Sequence, residues 1–247
     1  MEIIGIIPAR YGSTRFPGKP LADIKGKPVI QWVYESSSQA LSHVFVATDD
    51  DRIRDAVIDF GGKAVMTSPD HTSGTDRCME AVDRISEEYG LTADVVINVQ
   101  GDEPFIKPEQ IAQLAGCFND PGTQIATLVK PVDDTEEIFD ENKPKVVFDN
   151  DHFALYFSRS PIPFIRGPRK DQWISSFPFY RHIGIYAYRT DILKRITRLE
   201  PTVLEQAESL EQLRWLANGF RIKVSETPYG PIGIDTPDDL EKARLLF

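Results

Sequence analysis

Cysteine is almost absent from this chain of 247 residues, with Cys78 and Cys117 the only two. They lie far apart, each within a helical pattern, and form neither a metal-type spacing nor a disulfide framework, so their expected role is core packing. Long apolar runs are missing as well. No stretch approaches the ~20 apolar residues that a membrane span needs. The segment Met1-Glu2-Ile3-Ile4-Gly5 shows no basic region leading into an apolar one. The expectation is a cytoplasmic protein with no membrane association. Positive charge is scarce: 28 Lys and Arg stand against 38 Asp and Glu, for a net charge of -10. Broad nucleic-acid or anionic-membrane binding requires a positive face that neutralises many phosphates, and this balance argues against it. Two familiar phosphate fingerprints are also lacking. Between Gly12 and Gly18-Lys19 stand five residues, where a Walker A loop has four, and Pro20 replaces its metal-binding hydroxyl. No G-x-G-x-x-G occurs here, and Pro17 and Pro20 forbid an immediate helix.

What the chain does contain is a local reversal of sign. Ile7 to Leu21 places Arg10, Arg15 and Lys19, with no acid, in a Gly/Pro-broken loop directly behind an apolar strand. Backbone N–H groups in such a turn can converge on phosphate oxygens, while Arg supplies forked donors and Lys a mobile point charge. The loop therefore reads either as a polyanion site, with a nucleoside triphosphate as the natural ligand, or as an ordinary basic surface turn.

The first half alternates short β-rich runs with helical patterns. Ile3–Pro8, Val44–Thr48, Ala64–Thr67 and Val95–Val99 read as strands; Val29–Ser38, Asp51–Phe60, Asp76–Tyr89 and Pro108–Phe118 read as helices. Gly61-Gly62 suits a helix C-terminus. Near-continuously apolar strands imply a parallel sheet covered on both faces, with ligands beyond the carboxyl ends of its strands. In the second half Ile125–Lys130, Lys145–Asp149, Ala154–Ser158 and His182–Tyr188 follow one another with fewer helices, which predicts antiparallel additions. Ser160–Pro178 is rich in Pro, Gly and charge and reads as a long loop or arm. Helical patterns return at Ser209–Asn218 and Pro237–Leu246, with Thr236 as N-cap and Pro237 at the first helical position. No internal repeat or low-complexity tract interrupts the chain.

Several positions can carry chemistry, each beside a plainer reading. Asp102 follows a strand in Asn98-Val99-Gln100-Gly101-Asp102-Glu103-Pro104, where Gly101 permits a tight turn. It suits a Mg²⁺ ligand, since that ion takes one or two carboxylates and fills its remaining positions with phosphate oxygens and water. The plainer reading is a solvated turn. Asp235, expected just after a late strand, is either a second ligand or a turn residue at a helix start. His71-Thr72-Ser73-Gly74-Thr75-Asp76-Arg77 can meet a nucleobase or ribose, or be a helix start with Thr75 as its N-cap. Arg159 can pair bidentately with a carboxylate or form a structural salt bridge. His182 and Tyr186 share one side of a strand pattern, where a lone histidine is commonly structural. Leu210 and Leu213 face the core, so Glu211 and Gln212 are either solvated or acceptors of sugar hydroxyls.

As an ordered set, these motifs resemble the 3-deoxy-manno-octulosonate (Kdo) cytidylyltransferases, the CMP-Kdo synthetase family, over almost the whole chain. The set comprises Ile7 to Leu21, Val46-Ala47-Thr48-Asp49-Asp50, Ser73-Gly74-Thr75-Asp76-Arg77, Asn98 to Pro104, Tyr156-Phe157-Ser158-Arg159, His182-Ile183-Gly184-Ile185-Tyr186, Leu210 to Arg214 and Gly233-Ile234-Asp235-Thr236-Pro237. The first motif is shared more loosely with other sugar nucleotidyltransferases. The resemblance implies a single nucleotidyltransferase-type α/β domain over 1–247, a Rossmann-like three-layer sandwich. Within it a substrate-binding and dimerisation subregion would lie around 125–220. It further implies a homodimer that takes CTP and an acidic eight-carbon sugar, requires Mg²⁺, and releases CMP-Kdo and pyrophosphate. Carried over residue by residue, Ala9, Arg10, Arg15, Lys19, Ser73, Gly74, Arg77 and Gln100 bind CTP. Gln100, Arg159, His182, Tyr186, Glu211 and Gln212 contact the sugar. Asp102 and Asp235 hold the metal and, with Arg15 and Lys19, form the catalytic set. Phe16, where many members have Leu, is the one departure, and both are apolar. The alternatives are another acidic acceptor, such as 8-amino-Kdo or sialic acid, or a CTP-binding module without turnover.

Overall fold

Strand β1 (Ile3–Ala9) is buried along nearly its whole length because it lies between two parallel neighbours. These are β4 (His43–Thr48) and β6 (Val95–Asn98), separated in sequence from β1 by the two-residue hairpin strands β2 (Asp23–Ile24) and β3 (Lys27–Pro28). The computed structural model describes residues 1–12 and 15–246; Ser13 and Thr14, inside the basic loop, and Phe247 lie outside the described residues. The remaining strands are β5 (Ala64–Met66), β7 (Ile125–Pro131), β8 (Lys145–Phe148), β9 (Ala154–Ser158), β10 (Tyr180–Arg189) and β11 (Ile222–Glu226). They form one nine-stranded sheet in the order β11-β7-β10-β6-β1-β4-β5, with β8 on β10 and β9 on β8.

Two helical layers cover this sheet. On one face lie α1 (Val29–Ala40), α2 (Asp51–Asp59) and α4 (Pro108–Gly116), burying Ile30, Val33, Ile53, Val57, Ile111 and Leu114. On the other face lies α3 (Gly74–Tyr89), which buries Cys78, Ala81 and Ile85. This is the expected three-layer α/β architecture. α2 ends as predicted, with Gly61 at φ 81° and its N–H on Ile58 O at 2.9 Å, because that left-handed position suits glycine.

Of the four expected antiparallel additions, β8, β9 and β10 enter through antiparallel pairs, whereas β7 pairs antiparallel with β10 but parallel with β11 and so keeps the direction of β6. The placement of β10 is the decisive one. It enters between β6 and β7, antiparallel to both, with Tyr186 opposite Asn98 and Tyr180 opposite Pro131. Its first half therefore lies at the carboxyl ends of the parallel strands. The register against β7 shifts between Ile183 and Tyr186, a bulge that re-aims side chains there.

Other elements follow from shorter signals. Lys25 and Gly26, at φ 52° and 85°, turn the β2–β3 hairpin with two left-handed residues. The Ser160–Pro178 segment, read from sequence as a loop or arm, carries a 3₁₀ turn and the short helix α6 (Trp173–Ser176). α6 follows α5 (Thr135–Phe139) in chain order. Trp173 anchors α6 in a small core with Val132, Ile138 and Phe179. The helices α7 (Thr190–Ile196) and α8 (Val203–Glu208) precede α9 (Gln212–Ala217), which starts later than the predicted Ser209 because Ser209 takes the left-handed conformation that ends α8.

The terminal helix α10 (Pro237–Leu246) begins with the expected Thr236-Pro237 pattern. Thr236 Oγ1 accepts from Asp239 N–H at 3.2 Å, and Asp239 Oδ2 accepts from Thr236 N–H at 3.0 Å. This reciprocal cap satisfies two helix-end donors. Leu240 and Ala243 pack on Ile24, Val29 and Ile234, fixing the chain just before Asp235. Leu240→Ala should cost about 2 kcal/mol in urea unfolding, the low end for a buried leucine because the cluster is small. A loss below about 0.5 kcal/mol would show that α10 is not held by this contact.

Candidate active site

The carboxyl ends of β1 and β6 open on a cavity of about 280 Å³ lined by Ala9, Arg10, Arg15, Lys19, Ser73, Gly74, Arg77, Gln100, Asp102 and Asp235, among others. Thus all the residues expected to bind CTP share one wall, as topology predicts for an open parallel sheet. The basic loop is closed on itself by Gly18 N–H, which donates to Tyr11 O at 2.9 Å. Gly18 sits at φ 73°, and a Cβ there would meet the Tyr11 ring at 3.0 Å, so the closure requires glycine. The Arg52 guanidinium lies 3.3 Å above the centre of the Tyr11 ring and supports it from α2.

Lys19 Nζ donates to Asp102 Oδ2 at 2.6 Å and to Asp235 Oδ1 at 3.2 Å, while Arg15 Nη2 reaches Asp235 Oδ1 at 3.0 Å. Two carboxylates thus converge on one ammonium. Their proximity is enforced by the backbone, because Ile234 N–H donates to Asp102 O at 2.9 Å. The late strand expected before Asp235 is replaced by this irregular segment; β11 ends at Glu226, and the bond to the Asp102 turn takes over the positioning. Gly101 is equally constrained, since a Cβ would stand 2.7 Å from Pro8 O. Hard carboxylate oxygens meeting at one cation-sized point fit Mg²⁺, which needs few protein ligands when phosphate supplies the others. No cluster of three or more His, Cys, Asp or Glu exists among the described residues. Any divalent ion held here would therefore rely on its ligand's oxygens.

The turn before α3 corrects one sequence assignment. Ser73, and not Thr75, is the N-cap, its Oγ accepting from Asp76 N–H at 3.1 Å. A Cβ on Gly74 would stand 3.3 Å from the Pro8 ring and 3.7 Å from the Asn98 amide, so this positive helix end lies close against β1. Arg77 is buried, and its two terminal nitrogens donate to Thr67 Oγ1 at 2.6 Å and Asp49 Oδ2 at 3.0 Å. It braces the wall of the cavity with the strand-end residue Asp49, whose part in the site was signalled only by the Thr48-Asp49-Asp50 position.

Gln100 joins this cavity to a second group of residues by donating to Gly184 O in β10 at 3.2 Å. His182 and Tyr186 rings lie 5.2 Å apart in that strand, and Tyr186 meets Trp215 edge-on at 5.0 Å. The His182 Nε2 and Thr127 Oγ1 atoms are 3.0 Å apart. Thr127, a polar side chain inside an apolar strand, was not singled out from sequence. Gln212 is buried, and its Nε2 has no protein partner among the described residues, an unsatisfied buried donor. Burial raises the Glu211 carboxyl above its ordinary range, opposed by a hydrogen bond from Thr75. Arg159 does not line this cavity. Its guanidinium donates to three backbone carbonyls, those of Glu208, Glu141 and Ser209, and so fixes the approach to α9. Glu208 in turn accepts from Ser158 Oγ at 2.6 Å and Arg159 N–H at 2.8 Å.

Residues 4–223 match the family model described as Cytidylyltransferase. Fold and site together thus define a cytidylyltransferase. A protein of Parabacteroides distasonis named 3-deoxy-manno-octulosonate cytidylyltransferase is 60% identical over 251 residues, covering 100% of this chain and 98% of the relative. One of the same name from Phocaeicola vulgatus is 57% identical over 250 residues, with the same coverage, 100% and 98%. The solved structure of CMP:2-keto-3-deoxy-manno-octonic acid synthetase complexed with CTP superposes with a TM-score of 0.90 at 45% identity, covering 100% of this chain and 98% of that one. The chain belongs to the 3-deoxy-manno-octulosonate cytidylyltransferase family.

Burial pushes the His182 imidazole down from 6.5 to about 3, so it is a neutral hydrogen-bonding group at ordinary pH and a weak proton acceptor. The unfolded chain takes up this proton near pH 6.5, whereas the folded chain waits until about pH 3. The group's contribution to stability is therefore complete above the unfolded value and is lost as pH falls through this window. Wild type should lose about 2 kcal/mol more than His182→Asn between pH 7 and 5 in urea unfolding. Parallel pH dependences would contradict the assignment.

Proposed function

We propose that this chain transfers CMP from CTP to the anomeric hydroxyl of 3-deoxy-D-manno-octulosonate, giving CMP-Kdo and pyrophosphate for lipopolysaccharide synthesis. The observation that carries the reading is Gln100. It lines the cavity with Arg10, Arg15 and Lys19, and it also donates to Gly184 O between His182 and Tyr186, so triphosphate and acceptor are held side by side.

Arg10, Arg15 and Lys19, with Ala9, hold the triphosphate, and Ser73 and Gly74 offer the N-terminus of α3 to the nucleotide. Arg77 shapes that side through Asp49. Gln100, Arg159, His182, Tyr186, Glu211 and Gln212 orient the sugar, and Arg159 also secures the loop that presents Glu211 and Gln212. Asp102 and Asp235 would hold Mg²⁺. When bound, the ion supplies charge neutralisation and makes the attacking hydroxyl more acidic. The chain's own task is to bring two anions, CTP and the sugar carboxylate, into line and to stabilise charge on the departing pyrophosphate through Arg15 and Lys19. No side-chain base is required, consistent with a neutral His182.

The chain works as one nucleotidyltransferase domain over 1–247, with sugar contacts and a pairing surface around 125–220, as a cytoplasmic homodimer. Exposed apolar side chains in that region, including Leu155, Phe164 and Val203, support the pairing surface. No helix among the described residues is long and apolar enough to cross a membrane.

Pyrophosphate release with Mg²⁺, measured across the four nucleoside triphosphates and a panel of acidic sugars, should be supported by CTP with Kdo. Preference for 8-amino-Kdo or sialic acid would change the acceptor, and absence of release with every pair would refute turnover. Asp102→Asn should lower kcat by a factor on the order of 10²–10³ with unfolding unchanged; near-normal Mg²⁺-dependent activity would contradict its role. For Arg15→Ala, the account requires weakened CTP use, and a loss confined to Kdo affinity would contradict it.

A further inference from the structure

Thr75 is the second residue of α3, one place beyond Gly74 in the turn that faces the nucleotide cavity, and it is almost wholly buried. Because Ser73 caps the helix, the Thr75 hydroxyl is available for another partner. It donates to Glu211 Oε2 at 2.8 Å, across 136 residues of chain. Glu211 immediately precedes α9 and is followed by Gln212, the buried amide with no protein partner among the described residues.

The surroundings make this bond more than incidental. Glu211 is faced by Arg214 from its own helix, Asp76 and Cys78 from α3, Glu205 from α8, and Tyr186 and Tyr188 from β10. The nearby cation is already engaged, since Arg214 Nε and Nη2 donate to Glu205 at 2.7 and 2.5 Å. Among the described residues, Thr75 is thus the side-chain donor that orients the Glu211 carboxylate. Its other oxygen is left for the acceptor.

We propose that Thr75 is a positioning residue for the sugar: its hydroxyl aims the Glu211 carboxylate and the start of α9 at the acceptor, and fixes that aim to the helix turn beside the nucleotide. The proposal rests on Glu211 being a sugar contact. Valine would preserve the shape of Thr75 and delete the donor, whereas serine would keep the donor.

Steady-state kinetics with CTP and Kdo test this. In Thr75→Val the KM for Kdo should rise on the order of tenfold, the usual worth of a hydrogen bond to a charged group, with the KM for CTP unchanged. Thr75→Ser should restore the Kdo KM. Glu211→Gln should raise the Kdo KM by itself, and Thr75→Val added to it should have little further effect, because both changes act on one contact. A Kdo KM raised in Glu211→Gln but normal in Thr75→Val would overturn the proposal alone. An unchanged Kdo KM in Glu211→Gln would overturn the role of Glu211 and the proposal with it. Additive losses in the double variant, or equal losses in both KM values without rescue by serine, would show a structural role and overturn it as well.

Discussion

One ammonium group, that of Lys19, holds two carboxylates that lie 83 and 216 residues away along the chain. Much of the architecture serves to make that meeting possible. β1 delivers the basic loop to the carboxyl end of the sheet, β6 delivers the Asp102 turn beside it, and α10 clamps the final segment so that Asp235 completes the group. The Ile234–Asp102 backbone bond, at 2.9 Å, is the joint between the last two. In a chain of net charge -10, this is where opposite charges are concentrated at a phosphate-sized cavity.

The arrangement is valuable for geometry more than for stability. Asp235 and Arg15 are substantially exposed, and ion pairs of that kind add little to folding. What the pairs fix is the direction in which cations and carboxylates point. In the proposed reading a triphosphate with a hard divalent cation would make use of both signs at once, the cations on phosphate oxygens and the carboxylates on the metal. The proposed sugar side depends on a different principle, with His182 paired to Thr127 Oγ1 and a half-buried Glu211 accepting from the Thr75 hydroxyl.

Much of this was legible in the sequence where the signal is local. Apolar runs marked the parallel strands, Gly61 marked a helix end, Thr236-Pro237 marked the start of α10, and Gly101 marked a close backbone approach. The basic loop stood out by charge alone. What could not be read was long-range order. Nothing near His182 states that its strand inserts between β6 and β7, and the bulge after Ile183 depends on that pairing. The hairpin strands are two residues each and α6 only four, too short for periodicity to register. Thr75 was read as a cap because caps are local, whereas its partner lies on a distant helix. Arg159 was placed among sugar ligands by resemblance, and its three backbone contacts add a bracing role that no motif conveys.

The claim on which the account turns is that Asp102 and Asp235 act as one metal-holding pair completed by the nucleotide. Electron paramagnetic resonance of Mn²⁺ titrated into the protein, with and without CTP, addresses it directly. The account predicts a site whose affinity rises when CTP is present and falls at least about tenfold in both Asp102→Asn and Asp235→Asn. Wild-type Mn²⁺ affinity in either variant, in the presence of CTP, would contradict it.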